Sequence, residues 1–170
     1  MPSLRPVPAD DAEAIFFASA LHNEMVVRYE DPDPCGGPGP LDPRARWLLV
    51  IADSGEAVGV GAVQPLSHTV DAAAPDEGEI KRVYITPSAR GQGLSKMLMA
   101  ELEVIAVREG WPRLRLETGV RQPEAVALYQ SSGWIPVPAY GHYKSSPESR
   151  CFAKVVGDYR SSPVRTSTFS

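Results

Sequence analysis

Cysteine is scarce: Cys35 and Cys151 are the two in 170 residues. They are too few and too far apart for a disulfide framework or a zinc site, so two free thiols are expected. Long apolar runs are missing, since no stretch reaches the ~18 residues that a membrane span requires. The opening segment MPSLRPVPADD lacks the apolar core of a secretory signal, and a cytoplasmic protein without membrane association is expected. Basic excess is also missing. The net charge of −4 argues against a nucleic-acid binder held by phosphate contacts. No GxxxxGK[ST] loop and no GxSxG elbow occur, which excludes a P-loop nucleotidase and an esterase-type nucleophile. His22, His68 and His142 lie in unrelated contexts without ligand spacing; they read as ordinary surface or packing residues, and no metal is expected.

What is present suits one soluble domain. The length is that of an ordinary domain with room for a real core, and 43% hydrophobic with 22% charged residues is a globular balance. The acidic charge is concentrated early: residues 1–78 hold 13 Asp or Glu against 4 Lys or Arg. The region from residue 79 onward carries a basic excess, an arrangement that would suit an anionic cofactor and a cationic second substrate.

The pattern predicts a short edge strand at 3–7, with prolines that an edge tolerates. A helix then opens at Asp10 and Asp11 and runs to Tyr29, with Ala14, Ile15, Ala18, Leu21, His22 and Met25 at helical spacing. Residues 31–43 contain five prolines and three glycines and can only be a loop, either a plain connection or a wall of a binding site. Two apolar strands at 47–52 and 57–64 flank a hairpin turn, and a further strand spans 79–85 before Pro87. A helix over 91–109 buries Leu94, Leu98, Leu102 and Ile105, with Gly110 just past its end. Strand 113–118 alternates, a short helix starts at Pro123, and strands follow at 134–137 and 150–156. A single domain over 1–156 and a polar, disordered tail over 157–170 are expected.

The helix joining strand 79–85 to strand 113–118 has the length of a parallel crossover, and ligands collect at such strand-to-helix turns. That turn reads Arg90-Gly91-Gln92-Gly93-Leu94-Ser95-Lys96. Its glycines let backbone approach a ligand, and free helix N–H groups, the helix dipole, Arg90 and Lys96 all favour an anion. Phosphate or pyrophosphate follows from the physics; the nucleotide does not.

Arg90-Gly91-Gln92-Gly93-Leu94-Ser95 resembles the Q/R-x-x-G-x-G/A pyrophosphate loop of the GNAT superfamily of acyl-CoA-dependent N-acyltransferases, with Ser95 in place of the last Gly or Ala. Ala125-x-x-Leu128-Tyr129-x-x-x-Gly133-Trp134 is similar to the family's A-x-x-L-Y-x-x-x-G-F segment, and Gln122 stands where an Asn is frequent. The resemblance is firm over 79–134. Pro138-x-Tyr140-Gly141-x-Tyr143 and Cys151-Phe152 look like a bacterial subgroup.

The resemblance implies an α/β (α+β) fold: a mixed, mostly antiparallel twisted sheet of about seven strands opened into a V and flanked by about three to four helices. It implies acetyl-CoA as co-substrate. Val83, Tyr84 and Ile85 would pair with the pantetheine arm as an added strand, the Val83 N–H polarising the thioester carbonyl. The backbone of residues 90–96 would hold the pyrophosphate, with Gln122, Ala125 and Leu128 alongside. Tyr129 would protonate the departing thiolate, being neutral at pH 7 with a free pKa of ~10 against ~8.5 for a thiol. Glu79 would be the general base for an amine of pKa ~10.4, though a surface acid or a partner to Arg82 reads equally well; Glu117 and Glu24 are weaker candidates. Cys151 reads as a small strand residue, so direct transfer in a ternary complex is expected.

The function so implied is N-acetylation of a primary amine, with a small cationic acceptor favoured by the early acidic excess. The acceptor would enter between loops 31–43 and 66–78 and segment 140–146. A protein or peptide acceptor, a non-catalytic acyl-CoA-binding module and another kind of nucleotide-binding domain stay open. A homodimer paired through terminal strands is an expectation from the resemblance alone.

Overall fold

The structure is a computed structural model that describes residues 1–34 and 39–157. In chain order the elements are β1 (Ser3–Val7), α1 (Ala12–Tyr29), β2 (Arg46–Ile51), β3 (Ala57–Pro65), β4 (Glu77–Ile85), α2 (Leu94–Glu109), β5 (Arg113–Gly119), α3 (Pro123–Ser131), β6 (Ile135–Val137) and β7 (Ser149–Val155). Short 3₁₀ turns occupy Leu66–His68, Pro87–Ala89 and Gly141–Ser145. Cys35 and the tail from residue 158 lie outside the described residues.

One seven-stranded sheet runs in the order β1-β2-β3-β4-β5-β7-β6, and every adjacent pair is antiparallel except β4 with β5. The expected mixed, mostly antiparallel sheet and the parallel crossover through α2 are therefore both present. The β4–β5 ladder covers only Glu77 to Glu79 against Arg113 to Arg115. Beyond it the two strands part, which opens the V.

β2 is apolar along its whole length because both its faces are covered. Leu48 and Val50 join the larger core under α2 and α3, while Trp47 and Leu49 join the core under α1. Helix α1 begins where the Asp11 carboxylate accepts from the N–H groups of Glu13 and Ala14, both at 3.0 Å. Its buried face carries Ala14 and Phe17; Ile15, expected inside, is half exposed because it sits about 100° round the helix from Ala14. Helix α2 starts at Leu94 rather than at residue 91, since Gly91 and Gly93 take positive φ angles of 77° and 76° that a helix interior excludes. It buries Leu94, Leu98 and Leu102 as expected, with Ile105 partly buried beside them.

The feature that shapes the centre of the V is a bulge in β4. Val60 faces Tyr84 and Ala62 faces Lys81, so Gly61 alone opposes two residues, Arg82 and Val83. Arg82 adopts φ 60°, a left-handed conformation that costs a non-glycine residue about 1–2 kcal/mol. The extra residue changes the side-chain alternation: Ile80 and Ile85, five apart, both reach the larger core. Gly61 must lack a side chain here, because a Cβ would meet Leu98 of α2 at 2.9 Å.

Candidate active site

Two clefts open where β4 and β5 part. The first, of about 340 Å³, runs from the V to the α2 N-terminus. Of the residues expected to hold the cofactor, Val83, Tyr84, Ile85, Arg90, Gly91, Gly93, Leu94, Ser95, Lys96, Gln122, Ala125 and Leu128 all line it; Gln92 is exposed outside the lining. The α2 N-terminus has no side-chain cap and no acidic residue in its first turn, so the first N–H groups are open to an anion. A Cβ on Gly91 or Gly93 would meet nothing within 4 Å, so these glycines serve backbone conformation and clear approach rather than packing. The cleft's chemistry, open N–H groups beside Lys96 and an apolar strand edge at 83–85, fits a pyrophosphate with an amide-bearing arm.

Arg90 is held on the rim. Its Nε donates to the Ile85 carbonyl at 2.8 Å and its Nη2 to both Glu24 oxygens at 2.9 and 3.0 Å. Glu24, a weaker candidate base, is thereby in an ion pair with Arg90 and lines the first cleft. The Gln122 carboxamide oxygen accepts from Gly119 N–H at 3.1 Å and from Tyr29 O–H at 3.3 Å, so it braces the β5–α3 turn.

The second cleft, of about 510 Å³, lies on the other side of the V. It reaches the loop beside Pro40, the 3₁₀ turn at His68 and the segment at His142, the three places where the acceptor was expected to enter. The two clefts share Leu21, Val83, Gln122 and Tyr129. Tyr129 is buried against Trp134 and Phe152, with burial and the charge of Glu117 holding its phenol well above the usual tyrosine range.

Glu79 is not a surface acid; among the described residues no ion pair within 4.0 Å joins it to Arg82, although its charge acts on that guanidinium. It is fully buried, and its carboxylate accepts from Gln64 Nε2 at 3.0 Å, Thr69 Oγ1 at 2.5 Å and Tyr140 O–H at 2.7 Å. It is absent from the lining of either cleft, and its three donors hold it in place. Glu117 does line the second cleft, and burial pushes its carboxyl up from 4.5 to about 7, opposed by the Ser149 hydroxyl and the charge of Lys81. Cys151 is buried and unpaired, and that burial raises its thiol above the ordinary value, against a thiolate nucleophile.

Sequence reasoning passed over two features. All three histidines line the second cleft, although among the described residues no metal-holding cluster forms. Lys81 and Arg82 line it as well. Of the early acidic residues, Glu13 pairs with Arg5, Asp42 with Arg44 and Asp76 with Arg113, and none of these three lines the second cleft, although Asp42 lies 3.8 Å from its lining residue His68.

The acetyltransferase (GNAT) family model matches residues 10–134, which span α1, α2, α3 and the loop at Gly91. The chain belongs to the GNAT family. It is 36% identical over 102 residues to the IAA acetyltransferase of Azospirillum brasilense, covering 60% of this chain and 63% of that one. It is also 36% identical over 90 residues to the uncharacterized N-acetyltransferase YjgM of Escherichia coli K12, covering 53% and 50%. The matched segment thus spans about half to under two-thirds of these curated relatives. A Klebsiella pneumoniae structure described as an acyl-CoA N-acyltransferase is alike along almost its whole length, with TM-score 0.75, 32% identity and coverage of 92% and 99%. A GNAT acetyltransferase of Elizabethkingia anophelis with acetyl-CoA bound shares the fold at TM-score 0.60 and 14% identity, covering 89% and 96%.

Proposed function

We propose that this GNAT protein transfers the acetyl group of acetyl-CoA to a primary amine of a small molecule, by direct attack in a ternary complex. The observation that carries the reading is the pair of clefts meeting at Val83 and Tyr129, one suited to the donor and one to the acceptor. Each is pocket-sized, which favours a small molecule over a protein segment.

In this reading the 83–85 strand edge, left without a β5 partner, pairs with the pantetheine amides. The Val83 N–H polarises the thioester oxygen. Glu117 accepts the proton that the amine nitrogen loses as the C–N bond forms, its raised pKa of about 7 matching the operating pH. Tyr129 supplies its O–H to the sulfur as the C–S bond breaks. The products are an amide and the free thiol of coenzyme A; Glu117 releases its proton to solvent and the Tyr129 phenolate takes one up, which restores both residues with no net proton change for a neutral amine. Glu79, expected as the base, is assigned instead to holding Tyr140, Gln64 and Thr69 in the acceptor wall.

The test is equilibrium unfolding with acetyl-CoA, ATP and NAD, followed by thiol release with a panel of amines. A selective rise with acetyl-CoA supports donor binding by mass action, and amine-dependent thiol release supports transfer. Binding without thiol release would favour a non-catalytic acyl-CoA-binding module.

A further inference from the structure

The two strands that part at the V carry charges of alternating sign on one face. Their parallel ladder ends with Glu79 opposite Arg115. Two residues further along each strand, and so on that same face, stand Lys81 and Glu117. Both are partly buried, and both line the acceptor cleft. The 3₁₀ turn at Gly141–Ser145 and the tyrosine before it cover this face. Arg115 lies 5.6 Å from the Tyr140 ring centre, and Tyr140 donates to Glu79 at 2.7 Å. Lys81 lies 5.3 Å from the Tyr143 ring centre, and its Nζ donates to the Tyr143 hydroxyl at 2.5 Å. A phenol is neutral at pH 7, so this bond places the Lys81 ammonium without discharging it.

A base must be ionised to accept a proton, and burial opposes that at Glu117 by pushing its carboxyl up to about 7. The Ser149 hydroxyl on β7 and the Lys81 ammonium on β4 favour the carboxylate, while the charge of Glu79 opposes it. Cys151, opposite Glu117 on β7, and Tyr129 on α3 are weak acids that burial keeps protonated. Arg82 reaches the cleft through the left-handed bulge, and there it feels the charge of Glu79. His22, His68 and His142 line the same cleft. Lys81 is thus the cation that offsets Glu79 at Glu117. Resting on the acetyl-transfer reading, we infer that Lys81 is a positioning residue for the base: its ammonium, fixed by Tyr143, faces Glu117 across the V and keeps that carboxylate ionised for the incoming amine. Lys81 acts through Glu117 and touches no reacting atom, so its removal shows in the pH dependence of turnover. With the ammonium gone, Glu117 faces the charge of Glu79 without an offset and holds its proton to higher pH.

The experiment measures kcat/KM from pH 5.5 to 9.5 for an amine that the wild-type protein acetylates, in Lys81→Met, Lys81→Arg and Tyr143→Phe, with the acetyl-CoA thermal shift confirming that each variant is folded. Each is read as a ratio to wild type, in which deprotonation of the amine itself cancels. For Lys81→Met the basic rise should move up by about one pH unit, so the ratio falls to about one-tenth near pH 6 and returns toward one by pH 9. Lys81→Arg should keep the ratio near one throughout, and Tyr143→Phe should shift the rise in the same direction by less. A Lys81→Met loss that is equal at every pH overturns the inference, since a residue that binds the acceptor or only packs would behave so. A shift that Lys81→Arg fails to rescue overturns it as well. If no amine is turned over, the acetyl-transfer reading fails separately. NMR titration of the Glu117 carboxyl, assigned by its loss in Glu117→Gln, then decides: a midpoint raised by Lys81→Met and restored by Lys81→Arg supports the link between the two residues, and an unmoved midpoint overturns it.

Discussion

Replacing Glu117 with Gln should remove activity and add stability, a combination that separates a catalytic acid–base group from a packing residue. The carboxyl is raised from 4.5 to about 7 chiefly by burial. The folded protein therefore holds a proton that the unfolded chain has already lost across this window. Stability falls as pH rises from about 4.5 to about 7, and stays reduced above it. The full shift corresponds to about 3 kcal/mol, an upper bound because water still reaches the cleft. Glu117→Gln keeps the shape without the charge, so at pH 8 it should gain about 1–3 kcal/mol, or about 3–10 °C in Tm for a domain of this size. Near pH 4.5 the two proteins should unfold at the same temperature. Over the same series kcat/KM should fall by about 10²–10⁴-fold, and the wild-type rise in kcat/KM through pH ~7 should vanish in the variant. Scanning calorimetry and thiol-release kinetics from pH 4.5 to 8.5 measure both. A variant with near-normal turnover, or one less stable at pH 8, would refute the reasoning.

Tyr129→Phe should lower kcat by about 10–100-fold with little change in KM for acetyl-CoA, since the ring keeps its packing while the proton donor is lost; steady-state kinetics checks this. Gly93→Val should weaken acetyl-CoA binding by about tenfold, because its positive φ strains any β-branched residue by about 1–2 kcal/mol at the open N–H groups; calorimetric titration reads it. Glu79→Ala should cost about 2–4 kcal/mol, as three buried donors lose one acceptor, and denaturant unfolding would show it. Glu79→Gln should keep the basic rise of the pH–rate profile and move its midpoint downward, because Glu117 loses a neighbouring negative charge; a base at position 79 would lose the rise altogether, and thiol-release kinetics across pH reads the difference.

Much of the frame was legible because single residues announce it. Asp11 caps α1, Gly110 ends α2 with φ 88°, and Pro123 opens α3. The Gly91 and Gly93 loop could be read as an anion site because the physics of open N–H groups is local. The acceptor side was legible in its three entry segments and in Glu117 as a weaker candidate, and the rest was hidden for reasons that are equally physical. Glu117 alternates with Leu116 and so reads as the wet face of a strand; only the parting of β4 from β5 turns that face inward. Nothing in an Arg residue signals a left-handed conformation, so the bulge at Arg82 and the shared direction of Lys81 and Arg82 had no local mark. Glu79 reads as a site acid from its place on β4. Its role depends on Tyr140, 61 positions away, which only the folded sheet brings within 2.7 Å. The histidines converge for the same reason, from α1 and two separate loops.

The account rests most directly on amine-dependent thiol release, measured with acetyl-CoA against a panel of small amines and with the acetylated product identified by mass spectrometry. It predicts stoichiometric thiol and amide in the wild-type protein and a loss of both in Glu117→Gln and Tyr129→Phe. Acetyl-CoA bound tightly, with no thiol released above the level of those two variants, would contradict it.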